Sequence, residues 1–236
     1  MKTLIKFSFS RFAESYDKEA DLQKKAAEIL INYAGNIEGN ILDIGCGTGF
    51  ISRISEWKGI TGIDISYEMA RYYKKFNERA LTADMENMPL KDNSFDVVVS
   101  NFSIHWTDIE NTILETRRVL KPKGSFIFNI PVNGSLKFVE KILGMTQFDF
   151  PSISKILELL NKYKFEVSDY KILNMEKEFD DGYHLLMHLH KTGVAINTGK
   201  KSLKEKRQIV RKFKEHKEPS VLNFRLLFVK SFLNDK

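Results

Sequence analysis

Three glycines, Gly45, Gly47 and Gly49, stand at alternate positions in ILDIGCGTGF, residues 41 to 50, directly after an apolar run. That spacing frees the backbone for positive φ and lets a ligand approach the main chain. A helix starting there offers unpaired N–H groups to a carboxylate or phosphate. The dinucleotide fingerprint would put its third glycine at position 50, where Phe50 stands, so the pattern speaks against a nicotinamide cofactor. Asp64 follows Gly45 by 19 positions, at the end of the next apolar run, where a carboxylate accepts both hydroxyls of a ribose. Asp84 ends a third run beside Met85, a pair suited to the edge and face of an adenine. Taken singly, each aspartate equally fits a helix cap or a turn. Taken in register, they describe a nucleoside site.

Those side chains need elements to hold them, and the hydrophobic pattern supplies them. Residues 17 to 33 bring Ala20, Ala26, Ala27, Leu30 and Tyr33 near helical spacing. The runs at 40 to 45, 59 to 65, 81 to 84 and 94 to 101 read as strands, with Val97, Val98 and Val99 in the continuous apolar style of a strand buried on both faces. FISRISEW and SYEMARYYKKFNERA read as helices between them. Such βαβ alternation implies a parallel sheet with right-handed crossovers and ligands at the carboxyl ends of the strands. Thr107 and Glu110 are expected to form a capping box ahead of IENTILETRRVL, and Pro122 with Gly124 to stop that helix before a fifth strand, SFIFNI. SISKILELLNKY and DGYHLLMHLHKTG then read as helices, FEVSDYKIL and NFRLLFVKSFL as strands. The fold class is α/β: one doubly wound, mostly parallel seven-stranded sheet over residues 1–236, with an amino-terminal helix. A basic helical insertion at about 180 to 218, between the last two strands, is where a lid could sit.

Composition narrows the function classes. A chain of 236 residues, 42% hydrophobic and 29% charged, is that of a soluble globular domain. No apolar run approaches the ~18 residues that a membrane span requires. The opening MKTLIKFSFSRF is broken by Lys6, Ser8, Ser10 and Arg11 and lacks a small-residue cleavage site. Cys46 is the single cysteine, which excludes an internal disulfide and fits a reducing compartment, so the expectation is a mature cytoplasmic chain. The net charge of +6 is concentrated: residues 191–217 hold ten Lys or Arg against Glu205 and Glu215, a local +8, which leaves −2 for the rest. That segment is either a solvated helix face or the docking face for an acidic partner. Nucleic acid is disfavoured because Phe213 is the only aromatic in the basic run.

The ordered stretches LDIGCGTG, GIDIS, ADMENMPLKDNSFDVVVSN and RRVLKPKG resemble the motifs of class I S-adenosylmethionine-dependent methyltransferases, over residues 40 to 130. The resemblance implies a Rossmann-like fold in which Gly45, Gly47 and Gly49 cradle the methionine part of S-adenosylmethionine and Asp64 holds the ribose. It further implies that Asp84 and Met85 meet the adenine and that Asn101 lines the site, with Asp43, Ile65 and the backbone of Cys46 completing the cofactor set. The flanks SRFAESYDKEADLQKKAAEIL, HW of NFSIHWTD, PVNGSL and EFDDGYHLLMHLHKTGV resemble the BioC family, malonyl-acyl-carrier-protein O-methyltransferases of biotin synthesis. The family's usual Gln-Trp is His105-Trp106 here.

The implied reaction needs little acid-base help. A malonyl carboxylate, with a pKa near or below ~3.9, is already an anion at neutral pH. Holding that oxygen in line with a sulfonium methyl supplies on the order of 7 to 11 kcal/mol. A cationic partner for the carboxylate is expected, with Arg207, Arg211 and Arg225 as candidates; Tyr16, His105 and Trp106 are further candidates for the substrate pocket. The acidic acyl carrier protein would dock on residues 191–217. Two other classes stay open: a methyltransferase of a small acid or quinone-like acceptor with His105 as base, and a non-catalytic assembly factor of the same fold. His184, His188 and His190 have a spacing that can ligate zinc, but no Glu lies between them and no metal is expected.

Overall fold

The computed structural model describes residues 10, 15–144, 149–192 and 202–234. Its elements run α1 (Asp21–Ala34), β1 (Ile41–Ile44), α2 (Phe50–Ile54), β2 (Ile60–Asp64), α3 (Tyr67–Tyr73), β3 (Ala80–Thr82), β4 (Phe95–Asn101) and a 3-10 turn (Ile104–Trp106). They continue α4 (Ile109–Val119), β5 (Leu120–Pro131), α5 (Lys137–Leu143), α6 (Ile153–Lys162), β6 (Phe165–Phe179), α7 (Gly182–Lys191), α8 (Leu203–Glu215) and β7 (Ser220–Leu233). Residues 15–19 are also helical.

The seven strands form one sheet in the order β3-β2-β1-β4-β5-β7-β6. Strands β1 to β5 pair in parallel, and β7 runs antiparallel to both β5 and β6. The order reverses direction between β1 and β4, and that switch point opens a crevice at the carboxyl ends of both strands.

Strand side chains alternate between two cores, as a pleated sheet covered on both faces requires. Val97, Val99, Ile127, Phe224, Leu226 and Phe228 pack with α1, α2, α5, α7 and α8. Val98, Phe126, Phe128, Leu227 and Val229 pack with α4 and α6. The apolar stripe of α1 explains why that helix forms: Ala26, Ala27 and Leu30 are fully buried against the first core.

Several expectations change. The cap of α4 is Asp108, whose side chain accepts from Asn111 N, so the Thr107–Glu110 capping box does not form. The Thr107 hydroxyl instead donates to Ile104 O (2.7 Å), and Glu110 is held by Lys162 and Tyr163. Pro122 and Gly124 do not precede β5 but lie inside it, where the pairing steps from Phe95–Leu120 to Val97–Ser125, an irregularity that tolerates proline. Helix α5 spans seven residues, too few to show a periodic signal in sequence. Helices α7 and α8 connect β6 to β7; residues 193–201 of the basic segment lie outside the described residues.

Candidate functional site

The glycine turn is built against the end of β2. Gly45 N and Cys46 N both donate to Ile63 O, at 2.8 and 3.0 Å. Gly45 has φ +69, and a Cβ there would fall 2.4 Å from both Cβ and Oγ of Ser103. Ser103 cannot retreat easily: its hydroxyl lies 3.0 Å from Ile44 O and 2.6 Å from the Ser100 hydroxyl, which reaches the same carbonyl. Gly47, at φ +52, faces open space.

Asp64 is the charge beneath this turn. Its Oδ2 accepts from Gly47 N (2.9 Å) and its Oδ1 from Ser66 N (2.8 Å). Burial pushes its pKa up to about 6, with the two N–H bonds working the other way. One layer deeper, Asp43 is 1% exposed and its Oδ2 has no hydrogen-bond partner among the described residues. Burial first, and the Asp64 charge second, push its pKa up to about 8.

The opposite wall comes from the segments after β3 and β4. Asp84 Oδ1 accepts from Glu86 N (3.0 Å) and Asp84 O from Asn87 N (3.0 Å), a tight turn that presents Met85. Helix α4 pins the following loop: Glu115 accepts from Met88 N, and the Arg118 guanidinium donates to Met88 O and Leu90 O. After β4, Phe102 adopts φ 57, a conformation that side-chain-bearing residues seldom take. An amide network holds it there: Asn129 Oδ1 accepts from Phe102 N, Asn129 Nδ2 donates to Asn101 Oδ1, and Asn101 Nδ2 donates to Gln23 O. Tyr16 closes the cleft from the amino-terminal side, stacked on Phe50 at 6.2 Å. Burial, and then the charges of Asp64 and Asp17, drive its hydroxyl pKa upward. Asp17 ties this segment to α2 through Arg53 (2.6 Å).

These walls border a cleft of about 660 Å³, part of it open to solvent. Of the residues singled out in the sequence, Tyr16, Gly45, Gly47, Asp64, Ile65, Asp84, Met85, Asn101 and Trp106 line it together. Asp43, Cys46 and Gly49 do not. Asp43 lies beneath the turn, the Cys46 side chain packs with Ala70, Tyr73 and Ala80, and Gly49 is the residue before α2. His105 is also outside the lining. Its ring packs against Phe102, Trp106 and Phe150, burial pushes its pKa down to about 3, and Nδ1 has no partner among the described residues. Arg207 and Arg211 are exposed on α8, the latter paired with Glu215 (2.6 Å), while half-buried Arg225 donates to Asn133 O. None of the three arginines lines the cleft.

Met69, Glu86, Phe102 and Ser103 line it without having been singled out, and so does Thr107, which was expected only as a helix cap. Ser100 and Ser103 carry a signal in retrospect, two hydroxyls three apart at a strand end. Among the described residues the lining contains the carboxylates Asp64, Asp84 and Glu86 and no Lys, Arg or His, a donor set suited to a ligand bearing positive charge. The histidines of α7 make no metal site: His184 bonds its own cap Asp181 (2.8 Å), and no group of three or more His, Cys, Asp or Glu among the described residues is placed to hold an ion. No described helix is long and apolar enough to cross a membrane.

Residues 42–128 match the family model described as a methyltransferase domain. The chain is 38% identical over 142 residues to the malonyl-[acyl-carrier protein] O-methyltransferase of Hamiltonella defensa, a stretch covering 58% of this chain and 55% of that protein. It is 34% identical over 149 residues to the protein of the same name from Priestia megaterium, covering 58% and 54%. The chain thus matches about half the length of these relatives. Among solved structures, YcgJ from Bacillus subtilis superposes with a TM-score of 0.67 at 17% identity, covering 90% of this chain and 99% of that one. A SAM-dependent methyltransferase from Thermotoga maritima gives 0.60 at 22% identity, covering 96% and 98%. At these identities the structures establish the shared fold.

Proposed function

We propose that this chain transfers a methyl group from S-adenosylmethionine to the free carboxylate of a malonyl thioester on acyl carrier protein, a step of biotin synthesis. One observation carries the cofactor half: the cleft at the switch point is walled by a glycine turn over a half-buried Asp64, and its charged lining is entirely acidic among the described residues. The acceptor half rests on the similarity to relatives bearing that activity in their names.

The residues fit the cofactor on their own chemistry. Gly47 faces open space that any side chain would fill, and Asp64 keeps lone pairs free for two ribose hydroxyls after accepting from Gly47 and Ser66. Asp84 and Met85 would take the adenine edge and face. When bound, the cofactor supplies a methyl group on a positively charged sulfur, which leaves as a neutral thioether once the methyl is taken.

What the chain itself must do is orient and dry the reacting pair. Phe102, held at positive φ by the Asn101–Asn129 amides, and Trp106 form the wall beyond which the acceptor oxygen would enter. Tyr16, seated on Phe50, would cover the opposite opening and exclude water. No proton has to be removed from a carboxylate acceptor, so catalysis reduces to position. A base at His105 is not favoured, because its ring faces Phe102, Trp106 and Phe150.

The amphipathic, capped helix α8 offers its exposed Lys204, Arg207 and Arg211 to an acidic carrier, and with α7 it would serve as the lid between β6 and β7. Purified protein is expected to move labelled methyl from S-adenosylmethionine to malonyl-carrier protein and not to acetyl-carrier protein. Equal transfer to both, or to neither, would remove this acceptor.

A further inference from the structure

An anionic acceptor meets, in the cleft lining, three carboxylates and no cation among the described residues. Its counter-charge has to come from the rim, and the carboxyl end of β5 provides one. After Pro131 the chain turns through Asn133 and Gly134 into α5, and β7 pins that turn through its main chain. Val132 N donates to Arg225 O (2.9 Å), Leu136 N to Asn223 O (2.8 Å), and Arg225 N to the Ser135 hydroxyl (3.0 Å). The effect is to bring Arg225 and Lys137 to the two sides of Gly134. A Cβ built on that glycine would lie 3.5 Å from Arg225 Cδ, 3.5 Å from Lys137 Cε and 3.9 Å from Lys137 Nζ. The glycine, at φ +96, permits the turn and leaves the space between the two stems open.

Among the described residues neither cation is neutralised. The Arg225 guanidinium donates to Asn133 O at 3.3 Å, and no carboxylate among the described residues pairs with it or with Lys137. Their stems flank one turn, so an oxyanion seated over Gly134 could take charge-assisted hydrogen bonds from both. The location fits an acceptor entering over the Phe102 wall. In the order β4-β5-β7, neighbouring strands lie about 4.8 Å apart, so the backbone of Arg225 sits roughly 10 Å across the sheet from β4, the strand that precedes Phe102. The turn's Asn133 N donates to Pro151 O (3.1 Å), and the ring of the adjoining Phe150 packs on His105, the neighbour of Trp106 in the cleft wall. Arg207 and Arg211, by contrast, stand exposed on α8.

We infer that Lys137 and Arg225 form a two-cation site for an oxyanion of the acceptor thioester, either its free carboxylate or the phosphate of its pantetheine arm. This inference rests on the function proposed above. The test titrates malonyl-pantetheine, which has the carboxylate alone, and malonyl-phosphopantetheine, which has both anions, into protein loaded with S-adenosylhomocysteine. Lys137→Met, Arg225→Gln, the double variant and the conservative Arg225→Lys are compared with the wild type. The expected result is a Kd raised at least tenfold in the double variant and largely restored by Arg225→Lys, with S-adenosylhomocysteine affinity unchanged throughout. A loss on both thioesters identifies the carboxylate as the bound anion; a loss on the phosphorylated one alone identifies the phosphate. Unchanged Kd values, a wild type that binds neither thioester, or a matching fall in S-adenosylhomocysteine affinity would overturn the site. A wild type that binds the thioesters through this pair yet transfers no methyl would leave the site standing and remove the proposed activity.

Discussion

Alanine at Gly45 and alanine at Gly47 are nearly the same substitution in sequence and should behave oppositely. Both positions have positive φ, and a side chain there costs roughly 1–2 kcal/mol. At Gly45 the new Cβ would also lie 2.4 Å from Cβ and Oγ of Ser103 and 2.9 Å from Met85 Cε. Relief demands a backbone shift of the Ser103 segment, about 1–3 kcal/mol of overpacking. It also costs about 1 kcal/mol for the hydroxyl bond to Ile44 O. The total is about 3–6 kcal/mol, which for a chain of this size lowers Tm by roughly 6–24 °C. Gly47→Ala meets nothing within 4 Å, so its melting point should fall by only a few degrees. Its methyl group would instead occupy the cleft and weaken S-adenosylhomocysteine binding by about tenfold or more, each factor of ten being 1.4 kcal/mol. Thermal melts of the free protein and calorimetric titration separate the two effects, and Ser103→Gly added to Gly45→Ala should recover part of the lost Tm. Equal melting points for the two alanine variants, or a Gly47→Ala chain that binds as tightly as the wild type, would refute the geometry of the turn.

The raised pKa of Asp64, about 6, gives cofactor binding a pH dependence. The ionised carboxylate is the form that accepts both ribose hydroxyls, so protons compete with ligand below that pH. Affinity for S-adenosylhomocysteine should be flat above about pH 7 and fall towards tenfold per unit below 6; Asp64→Asn should abolish the slope as well as lower the plateau, and a flat wild-type profile down to pH 5 would contradict this. Reversing Lys204, Arg207 and Arg211 to Glu should raise the KM for carrier protein and flatten its salt dependence while leaving S-adenosylhomocysteine affinity as it was. An unchanged KM would show that α8 is not the docking face.

Much of the sheet was legible because its signals are local. Strand β4 shows in Val97–Val99, and the turn after β1 in the alternate glycines, since φ and close approach are dictated where the glycine stands. The same holds for Asp64, which bonds Gly47 and Ser66 within its own βα unit. Position relative to distant chain is what sequence does not encode. Asn101 reaches the cleft rim, yet its amide is occupied by Asn129 and by Gln23 O, bonds across 28 and 78 residues. His105 and Trp106 are neighbours, and only a 3-10 turn decides that the indole lines the cleft while the imidazole packs behind it. Three arginines looked interchangeable until β7 set Arg225 beside the β5–α5 turn and α8 turned the other two outward. The Thr107 cap failed for a similar reason, because the preceding turn claims that hydroxyl and Asp108 takes the role one residue later.

The central claim is that the acidic, glycine-walled cleft at the β1–β4 switch point holds a sulfonium nucleoside. Calorimetric titration of S-adenosylmethionine and S-adenosylhomocysteine into the wild type and into Asp64→Ala tests it most directly. One-to-one binding of both by the wild type, lost or weakened at least a hundredfold in the variant, is the predicted result. A wild-type chain that binds neither molecule, or a variant that binds both undiminished, would contradict it.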